Sequence, residues 1–410
     1  MEPNMNIAAN VRVKLDDDKR GGLPNWTYTS PEFLEIEKDE LFRKTWQIAC
    51  HVSDVPNIGD YFSFDLVGER ALIVRGKDNQ VRAFHNVCRH RGSRVVAAER
   101  GTCKSAIVCP FHGWSYNLDG SLRAVPQAKS LPKLDPVEHG LPPVDFEIWH
   151  GFVFVRFVRG DQPSVAHMMA PHEDVIGRYR IAETKPYGKM ITQKMPVNWK
   201  SVRDVDNEGY HVPVAHPALQ DLYGNGYVDE SVGFGITRST GVFNDSRDRY
   251  WSVRNYKKIL APMAHLPEAN QKAWYYYGIF PNMVFMLYPD MVGFYQEFPV
   301  AVDKTIQRFS YYALDDERRE TKLSRYLAER IDKLTGMEDT QLIAWCFEAL
   351  QSSGYKGLIL SDLESGVRAY HDMLRQVVPV VGLEKPPVPG ALAETNKVLR
   401  DAIPPLPWGR

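Results

Sequence analysis

Cys88-Arg-His-Arg-Gly92 and Cys109-Pro-Phe-His-Gly-Trp114 are two short stretches built alike. Each sets a cysteine two or three positions before a histidine and follows it with a glycine, and 18 residues separate His90 from Cys109. One thiolate and one imidazole from each of two tight loops suit zinc or an iron–sulfur cluster. Structural zinc sites more often take both thiolates from one loop. With one Cys and one His per loop, the set suits a two-iron cluster in which Cys88 and Cys109 hold one iron and His90 and His112 the other. Imidazole in place of thiolate raises the reduction potential, which suits a mid-chain electron carrier. Cys103 lies outside both motifs, and Cys50 and Cys346 read as small core residues.

Around these loops the chain reads as a small all-β module over residues 46–159. Short apolar runs (YFSFDLV, RALIVRG, VRAFHNV, AIVCP and GFVFVRFV) alternate with turns such as Gly-Lys-Asp-Asn and Leu-Asp-Gly. Before the module, residues 1–45 form an N-terminal segment. There SPEFLEIEKDELFRKTW starts a helix, with Ser30 as cap and proline at the first helical position. After it, residues 160–385 mix helix and strand. The stretch NWKSVRDVDNEGYH reads as helical, strands dominate from Gly233 to about Leu314, and a long helix follows from about Asp316 to Gln351. LESGVRAYHDMLRQV reads as a further helix. Antiparallel sheet backed by helices makes the whole an α+β chain. The proline-rich residues 386–410 are expected to form an extended tail.

A second ligand set lies in the helical stretch, as Glu208-x-x-His211-x4-His216. Glu208 and His211 share a helix face at i, i+3. His216 would leave that face, but Pro213 stops the regular helix and lets the chain turn His216 back beside His211. Two histidines and a carboxylate are the ligand set of mononuclear iron(II) oxygenases. For the third ligand, MEDTQLIAWCFEALQ carries an apolar stripe of Leu342, Ile343, Cys346 and Leu350, with Asp339 on it. A carboxylate facing a core needs a partner or a metal. Glu338 sits about 100° round the helix and is the weaker candidate.

The 410 residues carry a net charge of −1, with 44% hydrophobic and 25% charged residues. That is an ordinary globular composition with no basic field, so nucleic acid is not an expected partner. No apolar run approaches the roughly 18 residues of a membrane span. The first 20 residues show no secretory h-region, and five cysteines in a long chain fit a reducing compartment; a cytoplasmic location is expected. No Gly-rich dinucleotide fingerprint follows a strand, so the chain does not take electrons from NAD(P)H by itself.

CRHRG, CPFHGW and the NWK…Glu208-x-x-His211-x4-His216 run followed by a late helical Asp resemble Rieske non-heme iron oxygenases, oxygenase (alpha) component, over nearly the whole chain. The resemblance implies an all-β Rieske domain with two metal-binding loops holding a [2Fe-2S] cluster on Cys88, His90, Cys109 and His112. It also implies a helix-grip-like catalytic domain with a mononuclear Fe(II) on His211, His216 and Asp339, and O2 as co-substrate. Electrons would come from NAD(P)H through a separate flavin/iron–sulfur reductase, and the oxygenase would be a homotrimer. In the family the residue at Glu208 is no ligand. It joins the iron-bound histidine to a cluster histidine of the neighbouring subunit. Most members carry Asp there, and many carry Glu-Asn where this chain has Asp204-Val205. Glu208 points to the members that oxidise quaternary ammonium compounds, among them stachydrine (proline betaine), glycine betaine, carnitine and choline. Their chemistry is hydroxylation of an N-methyl group, giving a hemiaminal that releases formaldehyde.

A quaternary ammonium accepts no hydrogen bond, so aromatic faces are its natural partners. Between Ala273 and Phe298 stand ten aromatics, most expected in a sheet core and several facing the iron. The rivals are an aromatic ring-hydroxylating dioxygenase with the same metals, and an electron-transfer protein of the Rieske ferredoxin kind. The length of the chain beyond residue 159 argues against the latter.

Overall fold

The computed structural model describes residues 20–246 and 248–403. All but Arg20 of the stretch read for a secretory signal, and the end of the proline-rich segment, lie outside them. The chain divides into two compact units, one of Phe42–His167 with Ala182–Pro186, the other of Met1–Leu41, Met168–Ile181 and Tyr187–Arg410.

The smaller unit contains three antiparallel sheets. Asp60–Leu66 pairs with Glu69–Arg75 and Arg100–Thr102, and Val81–His85 pairs with Glu69–Arg75. Gln47–His51, Phe152–Arg156 and Asp145–Trp149 form the second sheet. Ile107–Val108, Ser115–Tyr116 and Leu122–Ala124 form the third. Leu72, Val74, Phe84, Ile107, Trp114 and Tyr116 pack into one core, and Cys88 and Cys109 belong to it. Two loops leave this core, one after Val81–His85 and one at the tip of the Ile107–Tyr116 hairpin.

The larger unit is built on a seven-stranded antiparallel sheet, in the spatial order Lys185–Met195, Lys304–Ala313, Val292–Ala301, Met283–Leu287, Ala273–Ile279, Ile236–Val242, Tyr227–Gly233. Period-two alternation along Ala273–Ile279 sends Trp274, Tyr276 and Gly278 to one face and Tyr275 and Tyr277 to the other. Three helices matter for the site: α1 (Trp199–Asp206), α2 (Arg319–Ala349) and α3 (Ser365–Val377). Asn198 caps α1, its side chain accepting from the Lys200 N–H at 3.0 Å. Lys200 is fully buried and pairs with Glu37 at 2.5 Å. Leu327, Ala328 and Ile331 of α2 pack into a core with Trp274, Tyr256 and Tyr288.

The structure departs from the sequence reading at the ends of elements. The first helix covers only Pro31–Glu37, capped by Ser30, and a π-type turn continues it over Lys38–Phe42. The proline-rich segment is not wholly extended: Leu392–Asp401 is a helix, and Asn396 accepts from the Val380 N–H at 3.3 Å. No proline stands between Pro389 and Pro404, so the intervening ALAETNKVLRD is free to coil. Cys346 is exposed, with Ile343 and Phe347 taking the buried side of α2, while Cys50 is fully buried as expected.

Candidate metal centres

The two Cys–His loops close with the same hydrogen bonds. The Gly92 N–H donates to the Cys88 carbonyl at 3.0 Å, and the Gly113 N–H to the Cys109 carbonyl at 3.1 Å. The Cys88 and Cys109 N–H groups donate in turn to the carbonyls of Ser93 and Trp114. Gly92 and Gly113 have φ of +73° and +75°, a region that favours glycine. Both thiols are buried and free of disulfides. The imidazoles lie outward, His112 being exposed and His90 half-buried. Their ring centroids are 4.6 Å apart, and His90 stacks on Trp114 at 5.0 Å. Tyr116 hydroxyl lies 3.3 Å from the Cys88 sulfur and accepts from the Arg89 N–H at 3.0 Å.

This set fits the cluster that its residue types imply. Burial pushes the Cys88 thiol up, and neighbouring Cys109 adds to the rise, so two thiols meet where only a cation would hold both as thiolates. The Nδ1 of His90 is buried without a hydrogen-bond partner, a group a metal would satisfy.

The second set is built by the end of α1 and the middle of α2. α1 stops at Asp206, with Asn207 as its cap, so Glu208 stands in a loop rather than on a helical face shared with His211. The contact survives because the loop folds on itself. One Glu208 oxygen accepts from the His211 backbone N–H at 3.1 Å, and the other lies 2.5 Å from His211 Nδ1. A short helix over Val212–Ala215, with Pro213 in its first turn, then brings His216 round. The two Nε2 atoms stand 3.0 Å apart. Asp339 Oδ1 lies 2.9 Å from His216 Nε2 and 3.7 Å from His211 Nε2. These three ligand atoms all lie within 4.8 Å of one another.

Glu338, read as pointing away, reaches the far nitrogen of His216 at 2.9 Å. A single imidazole spans the gap between neighbouring carboxylates on α2, one at each ring nitrogen. The carboxylates behind the rings hold protons on the Nδ1 atoms, which leaves both Nε2 lone pairs facing Asp339 Oδ1. Three acceptors meet there, and Asp339 Oδ1 has no hydrogen-bond donor. Such a cluster calls for a cation, and the donor set fits iron(II). Burial opposes a charge on His211, but the Glu208 hydrogen bond and the Glu208, Asp339 and Asp206 charges outweigh it and raise its pKa.

A cavity of about 130 Å³ opens beside the triad. Tyr227, Tyr276, Tyr288, Tyr295, Phe309 and Tyr311 line it. So do Asp206, Glu208, Asp332 and Asp339, and no lysine or arginine among the described residues does. Sequence reasoning missed Asp332 and Asp206. Burial raises Asp206 to about 6, against the pull of Arg203 at 3.0 Å. Behind the site, Asp204 accepts from Tyr28 at 2.6 Å and lies 2.8 Å from His371 Nε2.

A sequence profile of the Rieske [2Fe-2S] domain matches residues 45–135, and one of the ring hydroxylating alpha subunit catalytic domain matches 177–379. The chain belongs to the Rieske oxygenases. It is 28% identical over 373 residues to the carnitine monooxygenase oxygenase subunit of Escherichia coli, covering 87% of this chain and 93% of that one. Over 202 residues it is 33% identical to the glycine betaine monooxygenase oxygenase subunit of Pseudomonas aeruginosa, covering 49% and 46%. The crystal structure of the quaternary ammonium Rieske monooxygenase CntA with L-carnitine superposes with a TM-score of 0.71 at 25% identity, covering 89% of this chain and 99% of that one. This Rieske oxygenase thus has the α+β architecture of its family, a small all-β unit and an antiparallel sheet backed by helices. Among its described residues no helix is long and apolar enough to cross a membrane.

Proposed function

We propose that this Rieske oxygenase hydroxylates an N-methyl group of a quaternary ammonium compound, so that the product loses formaldehyde. Proline betaine is the first candidate, then glycine betaine, carnitine or choline. The observation that carries this reading is the cavity beside His211, His216 and Asp339: aromatic, acidic and, among the described residues, without a lysine or arginine. Such a lining favours a cation with no hydrogen to donate, because ring faces attract it and carboxylates offset its charge. The names of the similar oxygenase subunits point the same way.

Cys88, His90, Cys109 and His112 would hold the [2Fe-2S] cluster, and His211, His216 and Asp339 the iron(II). Bound there, these groups pass single electrons and activate O2. The chain's own residues position and couple. Glu208 fixes the tautomer and orientation of His211, and Glu338 does so for His216. Glu208, with a tenth of its side chain exposed, would also contact a cluster histidine of the next subunit in a homotrimer. Exposed His112 gives that cluster an outward edge. A separate flavin/iron–sulfur reductase would supply electrons from NAD(P)H, and the oxygenase would work in the cytoplasm.

The test is a substrate screen with a reconstituted reductase, comparing quaternary ammonium compounds with arenes. We expect formaldehyde release matched to O2 uptake from at least one N-methyl cation. Ring hydroxylation of arenes without formaldehyde would replace this reading with that of an arene dioxygenase.

A further inference from the structure

Asp332 stands on the cavity face of α2, seven residues before Asp339. Seven residues return a helix to the same side, about 10 Å further along its axis. Two carboxylates therefore face one cavity, in different company. Asp339 meets imidazole nitrogens. Asp332 accepts hydrogen bonds from Tyr288 and Tyr311, each at 2.9 Å. Tyr288 also reaches the Tyr276 hydroxyl at 3.3 Å, and Tyr276 meets Tyr223 at 3.1 Å. Asp332 is thus the acceptor at the end of a chain of tyrosines.

What it lacks is a counter-charge. Among the described residues no lysine or arginine pairs with it, and none lines the cavity. Burial pushes Asp332 up to about 7; the two tyrosines oppose the rise, and Glu329 and Asp290 add to it. A carboxylate held away from bulk water by neutral donors alone is costly until a positive charge arrives. The tyrosines satisfy its hydrogen bonds but not its charge.

We propose that Asp332, framed by Tyr276, Tyr288 and Tyr311, recognises the ammonium group of the substrate. This rests on the proposed function and adds the residue that separates a cation from a neutral molecule of the same shape. The spacing suits the task. An ammonium midway between the two carboxylates lies about 5 Å from each, within reach of direct attraction. A methyl group on its far side then points to the Asp339 end, where the iron ligands stand. A quaternary nitrogen competes for none of the tyrosine hydrogen bonds, so the frame stays intact when it binds.

The experiment measures anaerobic binding to the metal-loaded enzyme by calorimetry, without turnover. Choline and betaines are compared with the uncharged carbon isostere of choline, 3,3-dimethylbutan-1-ol. Wild type is expected to bind its preferred cation at least about tenfold more tightly than the isostere. Asp332→Asn, which keeps the shape, should lose that preference by weakening the cation and not the isostere, with iron content and cluster absorbance retained. Asp332→Glu, which keeps the charge, should retain part of it and serves if the amide variant does not fold. If wild type prefers the cation and Asp332→Asn prefers it equally, the assignment of Asp332 is overturned alone. If wild type shows no preference for any quaternary ammonium, the proposed function fails and this inference falls with it.

Discussion

Asp332 shows what a single residue can reveal about its site. Its carboxyl, raised to about 7, is protonated in the folded chain at pH 5 and charged at pH 8, whereas an unfolded aspartate is charged at both. Folding therefore takes up a proton between about pH 4 and 7, and Asp332 costs stability as pH rises through that window. Asp332→Asn should melt higher than wild type at pH 8, with the gap closing towards pH 5. An equal gap at both values, read from thermal unfolding curves, would mean that the carboxyl is not perturbed.

Two further residues separate holding a metal from orienting its ligands. Asp339→Ala should abolish iron binding, whereas Glu338→Gln should weaken it by roughly 10- to 100-fold and leave the ligand set complete. Iron titration decides this, and retention of full iron by Asp339→Ala would show that the wrong carboxylate was chosen. Glu208→Gln should load both metals and reduce its cluster normally, yet lose most product formation, and Glu208→Asp should slow cluster-to-iron electron transfer in single turnovers. Loss of iron in Glu208→Gln would make Glu208 a ligand. The sequence marked the two histidines as candidates by their spacing and Asp339 by its place on the helix stripe, and the structure brings the three ligand atoms within 4.8 Å of one another. Spacing could not reveal Glu338, because nothing in the sequence says that the His216 ring lies across two neighbouring positions of α2.

At the scale of elements, the paired loops were legible because their chemistry is local. A positive φ five residues into each needs only a glycine, and both stretches have one. Nothing lies within 4 Å of a side chain added at Gly92, whereas Pro126 stands 3.2 Å from one at Gly113. Gly92→Ala should therefore show the conformational cost alone, about 1 to 2 kcal/mol, and Gly113→Ala more. Thermal melts of the cluster absorbance would test that order, and equal losses would show that φ alone matters at both. α2 was legible in extent but less so in facing. Its cavity side runs Asp332, Thr335, Gly336, Asp339, Thr340 and Ile343, a helical period mainly of polar and small residues. An apolar-stripe reading set Asp339 and Ile343 on that side but also placed Cys346 inside, where the structure leaves it exposed. The same pattern, two carboxylates seven apart on one face, was in the sequence and would have pointed to Asp332. The loop that carries Glu208 was hidden for another reason: Asn207 ends α1 inside an otherwise helical run, and only tertiary packing decides where.

At the scale of the whole molecule, the donor sets imply two metal centres of different kinds in one chain. Cysteine and histidine at an electron carrier, and histidine with carboxylate at an oxygen-activating site, are a division of labour that ligand softness demands. The all-β unit and the sheet backed by helices each build one of them. Light scattering on the active enzyme should give a trimer, and an active monomer would contradict the transfer between subunits assigned to Glu208. The most direct test of the central claim is the metal and sulfide content of the purified protein, with spectra of its reduced form. The protein should be red-brown, with a [2Fe-2S] pair and one further iron per chain. Its rhombic reduced-cluster signal should vanish in Cys88→Ala and His112→Ala and persist in Asp339→Ala, which loses only the single iron. A colourless protein holding zinc and no labile sulfide would contradict it.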